Sequence, residues 1–245
     1  MLISAAICPH PPLLVAGVGP ASDPQLDRLR QACWTAVDEL RAGSPDALVV
    51  IGSGVTTTHD APRSGTLAPY GVDRAVALPG AEGSGTTGSG GSGRSSAELP
   101  LSLCVGAWLL ERDGWDGAVH AATVAGDGAE SDCVELGERL AGLADRVALL
   151  VMADGSASRA DTSPAAVRER SARFDAAMAR AVRDGDPQQV LALDGQLGAE
   201  VGSSGVNPLR VLAGAAEDAV FDADVLYDDA PYGVGYVVGV WERHG

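Results

Sequence analysis

Short apolar runs at residues 2–7, 47–51, 118–124 and 146–152 are separated by stretches in which apolar residues recur at helical spacing. Continuous apolar runs of this length suit strands buried on both faces, and the intervening helical segments supply the covers. Helices are predicted over 24–42, where Leu26, Leu29, Cys33, Val37 and Leu40 share a face, and over 99–111, 132–143 and 163–183. Shorter ones are predicted over 187–197 and 208–216, and residues 52–58 read as a loop of small and hydroxyl side chains. The chain closes with two strands, 222–227 and 233–241, joined by Asp228-Asp229-Ala230-Pro231-Tyr232. Alternation from the first residues onward predicts an α/β fold, a single domain over 1–245 with a central mostly parallel sheet and helices on both faces.

Residues 79–96 read PGAEGSGTTGSGGSGRSS and hold nothing to bury, so a flexible Gly/Ser-rich surface loop is expected there. No GK[ST] follows, which removes a phosphate-binding P-loop.

Composition narrows function by exclusion. The formal charge is −16, and all 17 basic residues are arginine. An acidic surface repels phosphate backbones and anionic lipid, so neither nucleic acid nor membrane is an expected partner. No apolar run approaches the roughly 18–20 residues of a membrane span, and the start lacks the basic residues of a signal peptide. A cytoplasmic protein acting on a small-molecule ligand is expected, with a homo-oligomer left open. The four cysteines form no CxxC pair, which argues against a structural zinc site.

Ligands of open α/β sheets bind beyond the carboxyl ends of the strands. His10 follows the first strand there, held between Pro9 and Pro11; His59 follows the second across a loop; Asp127 follows the third; Asp154 follows the fourth. Two imidazoles and a carboxylate are the donor set of a facial triad for non-haem Fe(II). His10 and His59 are therefore the candidate metal ligands, for Fe(II) or another divalent metal, and Asp154 and Tyr232 the candidate catalytic side chains. Each also has a plain structural reading: His10 and His59 as turn or loop residues, Asp154 as an Asx turn, and Asp228, Asp229 and Tyr232 as turn formers. His120 lies within a strand and His244 near the end.

The segment Ile7-Cys8-Pro9-His10-Pro11-Pro12-Leu13-Leu14, with Gly17 and Gly19, resembles the first metal-ligand segment of the class III extradiol dioxygenases. Further pieces follow in order: Pro45-Asp46 into Val49-Val50-Ile51-Gly52, then Pro100-Leu101-Ser102-Leu103, residues 149–159, residues 208–214, and Gly233-Val234-Gly235-Tyr236. The resemblance implies that fold over nearly the whole chain and an Fe(II) ligand role for His10. The family's other positions depart. Its second metal histidine falls at Val55, its third ligand near Gly205 with Asn207 the closest polar side chain, its substrate-contacting histidine near Ser95, and its acid–base histidine at Ala157 or Ser158.

Loss of a general base alone costs about 10²–10⁴-fold in rate. One reading is thus a metal-dependent oxidoreductase on a small aromatic substrate, its centre rebuilt from His10, His59 and a carboxylate, Asp154 or Asp229. The other is a catalytically silent relative whose old pocket binds a small ligand or a protein partner. A third makes Cys8 a hydrolase nucleophile.

Overall fold

The computed structural model describes residues 1–19, 22–55, 57, 63–80, 98–112, 114, 115, 117–217 and 219–244. In chain order the elements are β1 (Leu2–Cys8), α1 (Pro24–Ala42), β2 (Ala47–Gly54), β3 (Ser64–Thr66), β4 (Ala75–Ala77), α2 (Leu101–Glu111), β5 (Ala118–Ala125), α3 (Glu130–Ala141), β6 (Val147–Met152), α4 (Ala165–Asp184), α5 (Pro187–Leu191), α6 (Gly195–Glu200), α7 (Val206–Ala216), β7 (Phe221–Asp229) and β8 (Tyr236–Arg243). Six strands form one sheet in the order β5-β2-β6-β1-β8-β7. The pairs β5–β2, β2–β6 and β6–β1 are parallel, and β8 runs antiparallel to both β1 and β7. The fold is therefore the expected α/β architecture with a mostly parallel sheet. Strands from both sides of residues 79–96 lie in it.

The two-residue period of the strands sorts the core. Leu48 and Val50 face α1 and α2, while Val49 and Ile51 face α3, α4 and α7. Both sets are fully buried, which is why these strands read as continuous apolar runs. Each such Leu, Ile or Val contributes about 1.5–3 kcal/mol by leaving water.

Helix starts follow local chemistry. Asp23 caps α1 by accepting from the N–H groups of Gln25 and Leu26, at 2.9 and 3.3 Å, with Pro24 in the first helical position. On the opposite face α3 and α7 cross at unusually close range. A Cβ on Gly137 would lie 2.1 Å from the carbonyl oxygen of Val211, and one on Gly214 would lie 2.3 Å from that of Val134. Only glycine lets the two backbones meet.

Three local expectations need correction. The helix predicted over 187–197 is two: α5 ends at Leu191 with Ala192 as its cap, and Asp194 starts α6 by capping it through the Leu197 N–H at 2.9 Å. The loop over 52–58 begins later than expected, since β2 continues to Gly54 in register with β5. A small antiparallel pair, β3–β4, was not anticipated; its strands of three residues each are too short to carry a period. The Gly/Ser-rich loop lies outside the described residues from 81 to 97, as does His59.

Candidate functional site

His10 comes two residues after β1, at the carboxyl edge of the sheet. Its backbone N–H donates to Asp154 Oδ1 at 2.7 Å, which ties the end of β1 to the segment leaving β6. The imidazole is buried, with 7% of its side-chain surface exposed. Its Nε2 stands 3.4 Å from Ser204 Oγ and 3.6 Å from Asp154 Oδ2, while Nδ1 is buried without a partner. Both neighbours therefore compete for one nitrogen. A proton on Nε2 lets the ring donate toward both neighbours, and the orphaned Nδ1 is then the acceptor. In that form Nε2 donates toward Ser204 and Asp154 and has no lone pair with which to deprotonate Ser204. The three side chains do not make a Ser–His–Asp relay, which needs the carboxylate on the opposite ring nitrogen.

Asp154 and its surroundings are held by backbone geometry. Its carbonyl accepts from Ser203 Oγ at 2.8 Å. A Cβ on Gly205 would lie 2.7 Å from that same carbonyl oxygen, so the chain entering α7 passes over the end of β6 only because residue 205 is glycine. Downstream, the buried Asp175 of α4 accepts from Ser156 N at 2.7 Å, Ser156 Oγ at 2.8 Å and Arg159 Nη1 at 3.0 Å. Gly155 and Gly235 complete the clamp, with Gly155 N on Gly235 O at 2.9 Å and Gly235 N on Ser156 O at 2.8 Å.

Beside Ser204 opens a cavity of about 250 Å³, lined among others by Ser53, Asp127, Ser203, Ser204, Asn207 and Arg210. Asn207 Nδ2 lies within hydrogen-bond reach of the carbonyls of Ala125, Gly126 and Gly128, at 2.8, 3.2 and 3.3 Å, and so closes the loop after β5. Arg210 donates to Asn207 Oδ1 at 3.2 Å and pairs with Glu130 at 2.9 Å. The wall is thus built of hydroxyls, an amide, a guanidinium and the Asp127 carboxylate over an apolar floor that includes Val124 and Val206.

The other anticipated residues are dispersed. Tyr232, at φ 60° in the turn between β7 and β8, is about half exposed and hydrogen-bonds the Asp23 carboxylate at the start of α1. That bond holds Asp23 below the ordinary carboxylate value and raises the Tyr232 hydroxyl. Tyr232 does not line the cavity beside Ser204. Val55, where the resemblance would put a metal histidine, is 95% exposed. His120 sits mid-strand opposite Val49, and His244 contacts Asp222 at 3.1 Å. Cys8 is fully buried near Cys33, whose thiol is pushed well up by burial first and by Cys8 second. Such packing is that of structural thiols, not of an exposed nucleophile.

Among the described residues no three His, Cys, Asp or Glu side chains are gathered in a way that could hold a metal. His10 and Asp154 supply one imidazole and one carboxylate, short of the three protein donors of a non-haem Fe(II) centre. The described residues by themselves, His59 lying outside them, do not make the set that the family resemblance implies.

No family model matches the chain, and no curated protein does. Among solved structures it is similar to the uncharacterized protein JW3007 from Escherichia coli K12, at 14% identity and a TM-score of 0.52, over 98% of this chain and 99% of that one. At this identity the likeness establishes the fold across the full length.

Ser204, Arg210 and Asp175 were not singled out from sequence. Asp175 had a signal: a carboxylate beside Phe174 on the apolar face that Met178 and Val182 continue. Ser204 had only a Gly-Ser-Ser-Gly turn ahead of a helix.

Proposed function

We propose that this chain is a diverged relative of the class III extradiol dioxygenases that has lost ring cleavage and uses the pocket at the carboxyl edge of its sheet to bind a small polar ligand. The observation that carries this reading is the neighbourhood of His10. The imidazole is retained at the strand end, but its carboxylate neighbour also accepts the His10 backbone N–H, and its other contact is a serine. The adjoining cavity offers Ser204, Asn207 and Arg210 for a ligand bearing hydroxyl or carboxylate groups. A compound of roughly ten non-hydrogen atoms suits that size, which is just below the usual range of small-molecule sites.

The test uses the purified full-length chain loaded anaerobically with Fe(II). Metal well below one equivalent and no yellow ring-fission product from catechol or protocatechuate are expected. A panel of small aromatic and hydroxylated acids, followed by ligand-observed NMR, is expected to yield binders that Ser204→Phe displaces by filling the cavity. One full equivalent of metal that disappears in both His10→Ala and His59→Ala, with turnover of a catechol, would replace this reading by the metal-dependent enzyme.

A further inference from the structure

The opposite edge of the sheet holds a second cavity, of about 470 Å³, whose walls include Ser4, Arg146, Glu242 and Arg243. It lies a strand's length from His10, about 20 Å for seven residues of β1. Three strands converge on it. Arg146 immediately precedes β6, Arg243 ends β8, and β1 runs between those two strands with Ser4 opposite Glu242.

The two guanidiniums are oriented by backbone carbonyls alone. Arg146 donates from Nη2 to Gly43 O at 2.6 Å and from Nε to Ser44 O at 3.4 Å; Arg243 donates from Nη1 to Leu2 O at 3.3 Å. Neither has a carboxylate partner among the described residues. Other arginines, such as Arg74, Arg112, Arg139 and Arg210, do hold one. Ser4 adds an independent sign. It is 6% exposed, and its Oγ is buried with no hydrogen-bond partner. Buried orphan hydroxyls are rare in folded proteins and mark places where a water or a ligand belongs. Closing the end of α1 accounts for part of Arg146, since a cation favours a helix C-terminus, but for neither Arg243 nor Ser4.

We propose that this cavity binds a small oxyanion, with a phosphoryl group as its ligand chemistry. Donors arriving from three strands suit a tetrahedral group, which has an acceptor for each, better than a planar carboxylate, which one arginine fork satisfies. The other charged groups on the walls are the Met1 ammonium, which donates to the carbonyls of Ala144 and Asp145 at 3.0 Å, Glu242, which limits the bound charge to one anionic group, and His244, which is occupied by Asp222 at 3.1 Å. The site is separate from the pocket beside His10 and stands or falls independently of the function proposed for that pocket.

Calorimetric titration of the full-length chain with inorganic phosphate at low ionic strength tests it, with acetate as the planar comparison. One saturable equivalent of phosphate is expected, bound more tightly than acetate. Arg243→Gln is expected to weaken it about tenfold or more, the loss of one charge-assisted hydrogen bond. Ser4→Ala is expected to weaken it about threefold or more by the same reasoning for a neutral donor. These two variants leave the cap on α1 intact, so misfolding does not obscure the result. Absence of saturable binding, or wild-type affinity in Arg243→Gln, would overturn the site. Acetate binding as tightly as phosphate would overturn the phosphoryl assignment.

Discussion

Single side chains in this protein separate into those that are fully bonded and those that are not. Asp175 belongs to the first kind: three donors converge on a carboxylate that is 5% exposed. Asp175→Ala leaves Ser156 N and Oγ buried without an acceptor and releases Arg159. A loss of about 3 kcal/mol in urea unfolding is expected. Retention of wild-type stability would show that the clamp on residues 155–159 is held by backbone alone. Tyr227 belongs to the second kind. Its hydroxyl is buried without a partner, and burial pushes its pKa up to about 12 from the usual 10. Because the folded pKa is the higher one, ionisation of this residue leaves stability unchanged below pH 10 and lowers it as the pH rises toward 12. Tyr227→Phe is expected to raise stability at neutral pH by about 1 kcal/mol, by removing an unsatisfied group. It is also expected to flatten the alkaline loss, as read from denaturation series at pH 9 and above.

Among elements, α7 does the most to shape the candidate site. Ser204 and Gly205 lead into it, Asn207 ties it to the loop after β5, and Arg210 reaches Glu130 at the start of α3. Its position depends on the glycine contact with α3. Gly214→Ala gains up to about 1 kcal/mol in helix propensity. The added methyl, however, would meet the Val134 carbonyl oxygen at 2.3 Å, a backbone atom that cannot swing aside. The clash prevails, and a net loss of about 1–3 kcal/mol is expected. The same variant is expected to weaken any ligand of the His10 pocket, because α7 must move outward. An alanine variant as stable as the wild type would mean that the two helices are not locked at this distance.

For the molecule as a whole, β6 decides cooperativity. It enters between β1 and β2, whose residues precede it by more than ninety positions, so neither half of the chain completes the sheet. A single unfolding transition is expected, with coincident far-ultraviolet circular dichroism and tryptophan fluorescence curves. The probe covers both layers, since Trp241 lies in one core and Trp108 in the other. Two resolved transitions would show that part of the sheet folds by itself. Among the described residues no helix is long and apolar enough to cross a membrane. The charge of −16 is expected to prevent a mobility shift of DNA at physiological salt.

The alternation of strands and helices, the burial of β1, β2 and β6 on both faces, and the place of His10 at a strand end were all legible in the sequence. They depend on neighbours two to four residues apart, and stereochemistry sets those relations locally. Asp154 could be placed at the same edge for the same reason, once the sheet was taken as parallel. What the linear chain does not contain is which strands become neighbours and which side chains then touch. Ser204 reaches His10 across 194 residues, and Arg146 and Arg243 share a cavity only because β1 separates β6 from β8. The bond from the His10 backbone to Asp154, which fastens the end of β1 to the segment leaving β6, is equally non-local. Strand order follows from the packing of all the helices against both faces at once, so the chemistry of both cavities was decided by the tertiary structure.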